Sequence, residues 1–394
     1  APIIALFAVV VALLVYRAPL EEKIELFFKG AGDSNVLKMC VIALLAGAFA
    51  SVAKTSGSID SIVNMGMYYI SPAYFPVGIF VIASFLSFAT GTSVGTIMTL
   101  APIVFDLSAQ SHSNTALIGA CLLSGAMFGD NLSLISDTTI AATQSLGCQM
   151  DEKMKANAKI ALPMALLTVV ILFFIGDPEA QQYSVQEVQK DFNVVLILPY
   201  LAVVVISLFG VNVFVSLFLG VIFAGITGLL YGKFGFLDFT KYTYEGFTNM
   251  SELFFLYFFV GGLALLVEHF GGIQFLMNLI ARRVKGRASA LFSMGVLVMV
   301  ADVCVANNTV AILVVSKVSK TLAEQFKVPL RSAASVLDIF SCYGQGLIPY
   351  GAQVLALYHF AHTMDYVDLV KYSIYLHLLL IATIFYIKKS SKSL

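Results

Sequence analysis

The chain has 394 residues, of which 59% are hydrophobic and 12% charged, and its mean hydropathy is +0.91. Soluble globular chains carry about a quarter charged residues, so a water-soluble enzyme is excluded. Lys+Arg and Asp+Glu balance at 23 each, which leaves no basic surplus to neutralise nucleic-acid phosphates.

A bilayer core of about 30 Å takes roughly 20 apolar residues per spanning helix. Runs of that kind predict helices near 1–16, 36–53, 156–175, 192–209, 212–231, 250–268 and 367–387, an all-α polytopic membrane protein. The alternating strands of an outer-membrane barrel are absent. The apolar run at Ala1 lacks the basic stretch and the small-residue cleavage site of a secretory signal. Four further apolar stretches carry polar interruptions. Residues 76–108 are too long for one helix and predict a re-entrant hairpin with its tip near Gly91 to Gly95, and residues 288–320 have the same form with a tip at 305–309. Residues 114–148 and 331–362 each read as half-helix, polar linker, half-helix, the linkers running from Gly129 to Asp137 and from Gly344 to Gly351. Non-helical backbone at membrane depth persists only where it is buried in protein or lines a cavity. Cys40, Cys121, Cys148, Cys304 and Cys342 lie in or beside apolar runs without a paired spacing, and read as packing residues.

The chain repeats itself. Residues 46–64 align with 260–278 at an offset of 214, and 91–96 with 306–311 and 129–136 with 344–351 at an offset of 215. With each hairpin re-entering on its own side and each broken helix crossing, a complete repeat has five crossings, so the two repeats are expected to be inverted. The positive-inside rule then places 17–35, 149–159, 269–287, 317–331 and 388–394 in the cytoplasm. With Lys38, that side holds eighteen of the 23 Lys+Arg. The expected organisation is a first repeat (1–176), an extracytoplasmic connector (177–191) and a second repeat (192–394), with the carboxyl terminus inside and the first helix of repeat 1 missing from this chain. The partners expected are the lipid bilayer, a small cation and, as an admitted arrangement, a homodimer.

Inverted repeats with hairpins and broken helices place their sites at the midplane, between the repeats. A carboxylate there costs roughly 2.5–3.5 kcal/mol on insertion scales and needs a compensating reason. Asp130 and Asp137 lie in GDNLSLISDTT with Asn131, Ser133, Ser136, Thr138 and Thr139 around them, a set of hard oxygen donors suited to an alkali cation such as Na⁺. An alternative role for either acid is to cap a half-helix. Thr92 and Ser93 at the first tip, and Asn307, Asn308 and Thr309 at the second, are candidate ligands or caps. Gln345 stands opposite Asp130 in the second repeat, and Tyr350 lies inside the second linker. Asp302 and Asp338, in apolar surroundings, are candidate proton relays, while Glu268, His269, His359, His362 and His377 have no ligand spacing. No zinc spacing and no nucleotide-binding motif occurs, so no cofactor is expected beyond the transported ions.

At GTSVGTIMTLAP, FGDNLSLISDTTIAATQSLGCQMDEK, DVCVANNTVAILV and LDIFSCYGQGLIPYGAQ the sequence resembles the NhaC-type sodium/proton antiporter family, within a superfamily of hairpin-containing ion transporters. The resemblance runs from Ala1 to about Lys389. It implies exchange of Na⁺, or Li⁺, for H⁺ across a bacterial cytoplasmic membrane by alternating access, with Asp130, Asn131, Ser133, Ser136, Asp137 and Thr138 in the family's most recognisable polar segment. The family pattern resembles GDKxSPLSDTT, where this chain has Asn131 for Lys and Leu134 for Pro; the departure is expected to remove a midplane cation and leave more room for a bound ion. A cation- or proton-coupled exchanger of a small organic acid or amino acid is the alternative that the same motifs admit. A channel is disfavoured by two inequivalent halves around one charged linker.

Overall fold

Apolar runs become helices where capping residues stop them, and in this computed structural model residues 2–69, 71–133, 136–176, 192–209, 211–271, 275, 284–361 and 363–390 are described. Helices α1 (Pro2–Val15), α2 (Leu20–Ala31), α3 (Ser34–Thr55) and α4 (Ser58–Tyr69) lead into a hairpin of α5 (Phe75–Thr90) and α6 (Ser93–Ser111). A broken helix, α7 (Thr115–Leu132) with α8 (Asp137–Leu146), and the long α9 (Met150–Ile175) complete the first half. The second half runs through α10 (Val194–Leu208), α11 (Val213–Leu230), α12 (Phe236–Asn249) and α13 (Ser251–His269) to a hairpin of α14 (Arg287–Val305) and α15 (Asn308–Gln325). A second broken helix, α16 (Leu330–Leu347) with α17 (Ala352–Phe360), precedes α18 (Tyr366–Tyr372) and α19 (Ile374–Ser390). There is no strand among the described residues, and five of their helical segments, or six with the bent pair α18–α19, are long and apolar enough to cross a membrane. The connector 177–191, Leu134 and His362 lie outside the described residues.

Backbone geometry recurs at the offsets of the sequence repeat. Gly91 ends α5 in the left-handed region (φ +67°), and 215 positions later Ala306 ends α14 the same way (φ +50°). For an alanine that conformation costs about 1–2 kcal/mol. Thr92 then caps α6 by accepting from Gly95 N–H at 3.2 Å, as Asn307 caps α15 by accepting from Val310 N–H at 3.0 Å. His112 (φ +54°) and Lys327 (φ +51°) form another such pair, and Gly57 (φ +82°) and Gly271 (φ +79°) another at 214.

Packing is exchanged between the halves. A Cβ built on Gly246 of α12 would stand 2.5 Å from the Gly47 carbonyl oxygen of α3, and one on Gly30 of α2 would stand 2.6 Å from the Gly261 oxygen of α13. Gly47 and Gly261 are repeat equivalents, so each half lends a short helix to the other through a backbone-close contact that only glycine permits.

Three sequence expectations are corrected. The stretch 17–35 contains α2, with Lys23, Phe27, Gly30 and Ala31 buried, and Lys23 turns inward to donate to the Leu13 and Tyr16 carbonyls at the end of α1. α2 and α12 are amphipathic and too short to register as continuous apolar runs. The helix expected over 367–387 bends by 54° between α18 and α19. There Ser373 Oγ donates to Leu369 O at 2.8 Å, and the His377 ring nitrogen meets Val370 O at 2.7 Å, so side chains take up carbonyls near the break. Both linkers are shorter than expected, because α7 and α16 remain helical through Gly129–Leu132 and Gly344–Leu347.

Candidate functional site

Asp130 therefore belongs to the last turn of α7, and small residues determine what it faces. A Cβ on Gly129 would lie 2.7 Å from Ser87 Cβ and 2.5 Å from Phe88 N, so glycine lets α7 lean onto α5 and carries Asp130 to the hairpin tip. There Ser93, the first residue of α6, donates to Asp130 Oδ2 through Oγ (2.8 Å) and through its backbone N–H (3.3 Å). Ser136, the N-cap residue of α8, donates to Oδ1 at 2.5 Å and is 2.9 Å from Thr138 Oγ1. Two helix amino ends thus converge on one carboxylate, which is 4% exposed and has no cationic side chain within salt-bridge distance among the described residues.

A second polar cluster lies on the other side of the α7 end. Lys153 of α9, fully buried, forms a 2.5 Å ion pair with the equally buried Asp338 of α16. Its ammonium also donates to Asn131 O (3.0 Å) and Thr139 Oγ1 (2.7 Å). Asn157, one turn further along α9, has its Nδ2 2.8–2.9 Å from Asn131 O, Asn131 Oδ1 and Asp338 Oδ2, which share its two N–H donors. Asn131 Nδ2 meets Cys342 Sγ at 3.6 Å, and Thr139 Oγ1 donates to Ser133 O at 2.8 Å. The side chain of Asn131 thus lies beside the buried ammonium of Lys153, which donates to the Asn131 backbone carbonyl.

The carboxyl-terminal half also reaches Ser93. Gln353 Nε2 donates to Ser93 Oγ at 3.0 Å, and Gln353 Oε1 accepts from Gln345 Nε2 at 3.0 Å. Gln345 Nε2 is also 3.2 Å from Ala306 O, so a continuous polar chain runs from Asp130 to the second hairpin tip. Asp302, fully buried, has no hydrogen-bond partner for either carboxylate oxygen among the described residues, and its Oδ2 faces Gly344.

The expected residues separate into groups. Asp130, Ser93, Ser136 and Thr138 share one cluster that Gln345 joins through Gln353; Asn131, Ser133 and Asp338 belong to the neighbouring one. Asp137 is exposed at the first position of α8 and stands outside both clusters. Thr92 and Asn307 are occupied as caps, and Asn308 Oδ1 accepts from Thr309 N–H at 3.0 Å while its buried Nδ2 has no partner among the described residues. Tyr350 OH donates to Val303 O at 2.6 Å, tying the second linker to α14. Lys153, Asn157 and Gln353 are not among the candidates read from the sequence, whereas Thr139, one of the oxygen donors expected beside Asp137, lies in the second cluster. Their signal was present for the α9 pair, since Lys153, Asn157, Ile160 and Ala161 follow the spacing of one buried helical face. His359 lines a cavity of about 710 Å³ between α3, α6 and the α12–α13 junction, together with Lys54, Asp106 and Glu252.

The Na⁺/H⁺ antiporter family matches the chain over residues 1–177 and 179–388. Among curated relatives, the chain is 23% identical over 235 residues to the malate-2H⁺/Na⁺-lactate antiporter of Bacillus subtilis, covering 57% of this chain and 50% of that one. It is 27% identical over 153 residues to the Na⁺/H⁺ antiporter NhaC of Alkalihalophilus pseudofirmus, covering 39% and 33%. The chain thus spans half the length or less of these relatives. Among solved structures, the Alcanivorax borkumensis YdaH transporter is 14% identical with a TM-score of 0.43, covering 90% of this chain and 86% of that one.

Proposed function

The chain belongs to the Na⁺/H⁺ antiporter family, and from that premise we propose that it exchanges Na⁺, or Li⁺, for H⁺ by competition at Asp130. The observation that carries the proposal is charge bookkeeping inside the protein. Lys153 is committed to Asp338, so Asp130 is a buried carboxylate surrounded by hydroxyls and an amide with no fixed cation of its own among the described residues. Burying an ionised carboxylate without a counter-charge is prohibitive, and a mobile cation or a proton supplies that charge in turn. The surroundings fit a monovalent ion: Ser93, Ser136 and Thr138 offer hydroxyl oxygens, and no cluster of three His, Cys, Asp or Glu occurs among the described residues. With Na⁺ bound, the two serine hydroxyls turn their protons away and present lone pairs. With H⁺ bound, the carboxyl is neutral and holds no cation. Exchange follows when the loaded site faces the two sides alternately, through movement of the hairpins and broken helices of two inverted repeats.

The test is ΔpH-driven exchange in proteoliposomes. The expected result is cation-dependent dissipation with Na⁺ and Li⁺ that Asp130→Asn abolishes and Asp137→Asn preserves, with the apparent Na⁺ affinity falling about tenfold per pH unit in the acid range, where one proton displaces one ion. Full activity of Asp130→Asn sinks the mechanism.

A second reading is favoured by one observation. The cavity of about 710 Å³ is lined by the exposed Lys54 and by His359, with Asp106 and Glu252 in the same lining, and is large enough for a small carboxylate. Together with similarity to a malate/lactate antiporter, this supports an exchanger of organic acids coupled to the Asp130 site. Malate and lactate added to the same vesicles separate the readings: acceleration of Na⁺-dependent exchange that Lys54→Gln removes supports the organic acid, and indifference to both acids excludes it.

A further inference from the structure

Five cations converge on a cavity of about 650 Å³ that has no part in the ion site. Lys155 and Lys159 come from α9, Arg287 from the first position of α14, Arg331 from the first turn of α16 and Lys389 from the end of α19. The two carboxylates in its lining leave three positive charges in excess, and Asp151 is already held by Lys155 at 2.9 Å. Arg287 Nε is shut off from solvent and has no hydrogen-bond partner among the described residues. Bringing like charges together from four helices is unfavourable unless something neutralises them.

The positive-inside rule accounts for basic residues on this side of the protein, but not for their convergence on one concavity. The neighbouring surface indicates what fills it. Leu162 and Leu166 of α9, and Ile381 and Phe385 of α19, are 48%, 61%, 51% and 66% exposed, and the two helices pack together. An apolar surface therefore begins one turn from Lys159 and Lys389. Phosphate oxygens match the guanidinium forks of Arg287 and Arg331, and acyl chains would lie along the exposed faces of α9 and α19.

We propose that this cavity binds the phosphate of an anionic phospholipid of the cytoplasmic leaflet, with Arg287 and Arg331 as the principal contacts. The proposal is independent of which ion the protein carries.

The test uses the whole chain purified in a neutral detergent and reads its thermal midpoint against added phosphatidylglycerol, phosphatidylcholine or inorganic phosphate. Phosphatidylglycerol is expected to raise the midpoint saturably, with phosphatidylcholine and inorganic phosphate without effect. Arg287→Gln/Arg331→Gln is expected to bind phosphatidylglycerol about 25-fold more weakly, at roughly a factor of five per charge removed. If that variant is poorly folded, Lys155→Gln/Lys159→Gln, at exposed positions, is expected to weaken binding in the same direction. An equal shift with phosphatidylcholine, or undiminished phosphatidylglycerol binding in the folded variants, overturns the site. A shift with inorganic phosphate equal to that with phosphatidylglycerol overturns the lipid assignment in favour of a soluble anion.

Discussion

At the scale of single residues, Lys153 is the fixed cation of the polar cluster beside Asp130. Lys153 donates to Asn131 O in the final turn of α7, where carbonyls lack helical partners, and to Asp338 of α16. Removing one partner leaves the other charged and buried, so Lys153→Met is expected to cost about 3–5 kcal/mol, whereas Lys153→Met/Asp338→Leu should recover most of that loss. Unfolding followed in detergent by intrinsic tyrosine fluorescence measures both. A double variant as unstable as the single one would show that Asn157 and Asn131, rather than the ion pair, hold this region. The sequence made Asp130 legible, because a carboxylate in an apolar run is conspicuous by itself. Lys153 was not legible because it sits among Asp151, Glu152 and Lys155 at a helix start, where charge density reads as solvated surface. Only the face it occupies on α9 distinguishes it from its neighbours.

At the scale of elements, the hairpins were visible because each tip breaks an apolar run with a residue that caps, and the broken helices because polar residues and glycines interrupt theirs. Thr92, Asn114 and Asn307 stop or start helices close to where the polar pattern put them, each accepting a backbone N–H three residues on. The extent of the linkers was not visible, since glycine reads as a break whereas Gly129 is helical here and serves close approach. Gly129→Val is expected to push α7 off α5, displace Asp130 from Ser93 and lower exchange by an order of magnitude or more, through an overpacking cost of about 1–3 kcal/mol. Gly78, where an added Cβ would meet nothing within 4 Å, should accept alanine without loss. Exchange rates and thermal midpoints of the two variants, measured side by side, test whether the close approach or helix propensity matters. The amphipathic pieces α2 and α12 were illegible for a different reason: they pack against other helices on one face only, and an apolar-run criterion passes over them.

At the scale of the whole molecule, the inverted arrangement expected from the sequence would put Lys54 and Lys389 on opposite sides of the membrane. With Cys148 and Cys304 replaced by serine, an impermeant maleimide is expected to label Lys54→Cys in intact cells and to reach Lys389→Cys only after the membrane is opened. Equal labelling of both defeats the inverted topology. Na⁺ is expected to change the rate at Lys54→Cys, since that side chain lines the large cavity beside α6, whose first residue holds Asp130.

The glycine contacts between α2 and α13 and between α3 and α12 have a consequence for biogenesis. When the first half leaves the ribosome, α3 has a groove at Gly47 that nothing covers until Gly246 has been translated, and α2 has its counterpart at Gly30 waiting for Gly261. Roughly two hundred residues of synthesis separate each surface from its mate. During that interval the nascent first half carries both seams open, and the arrival of the second half closes them.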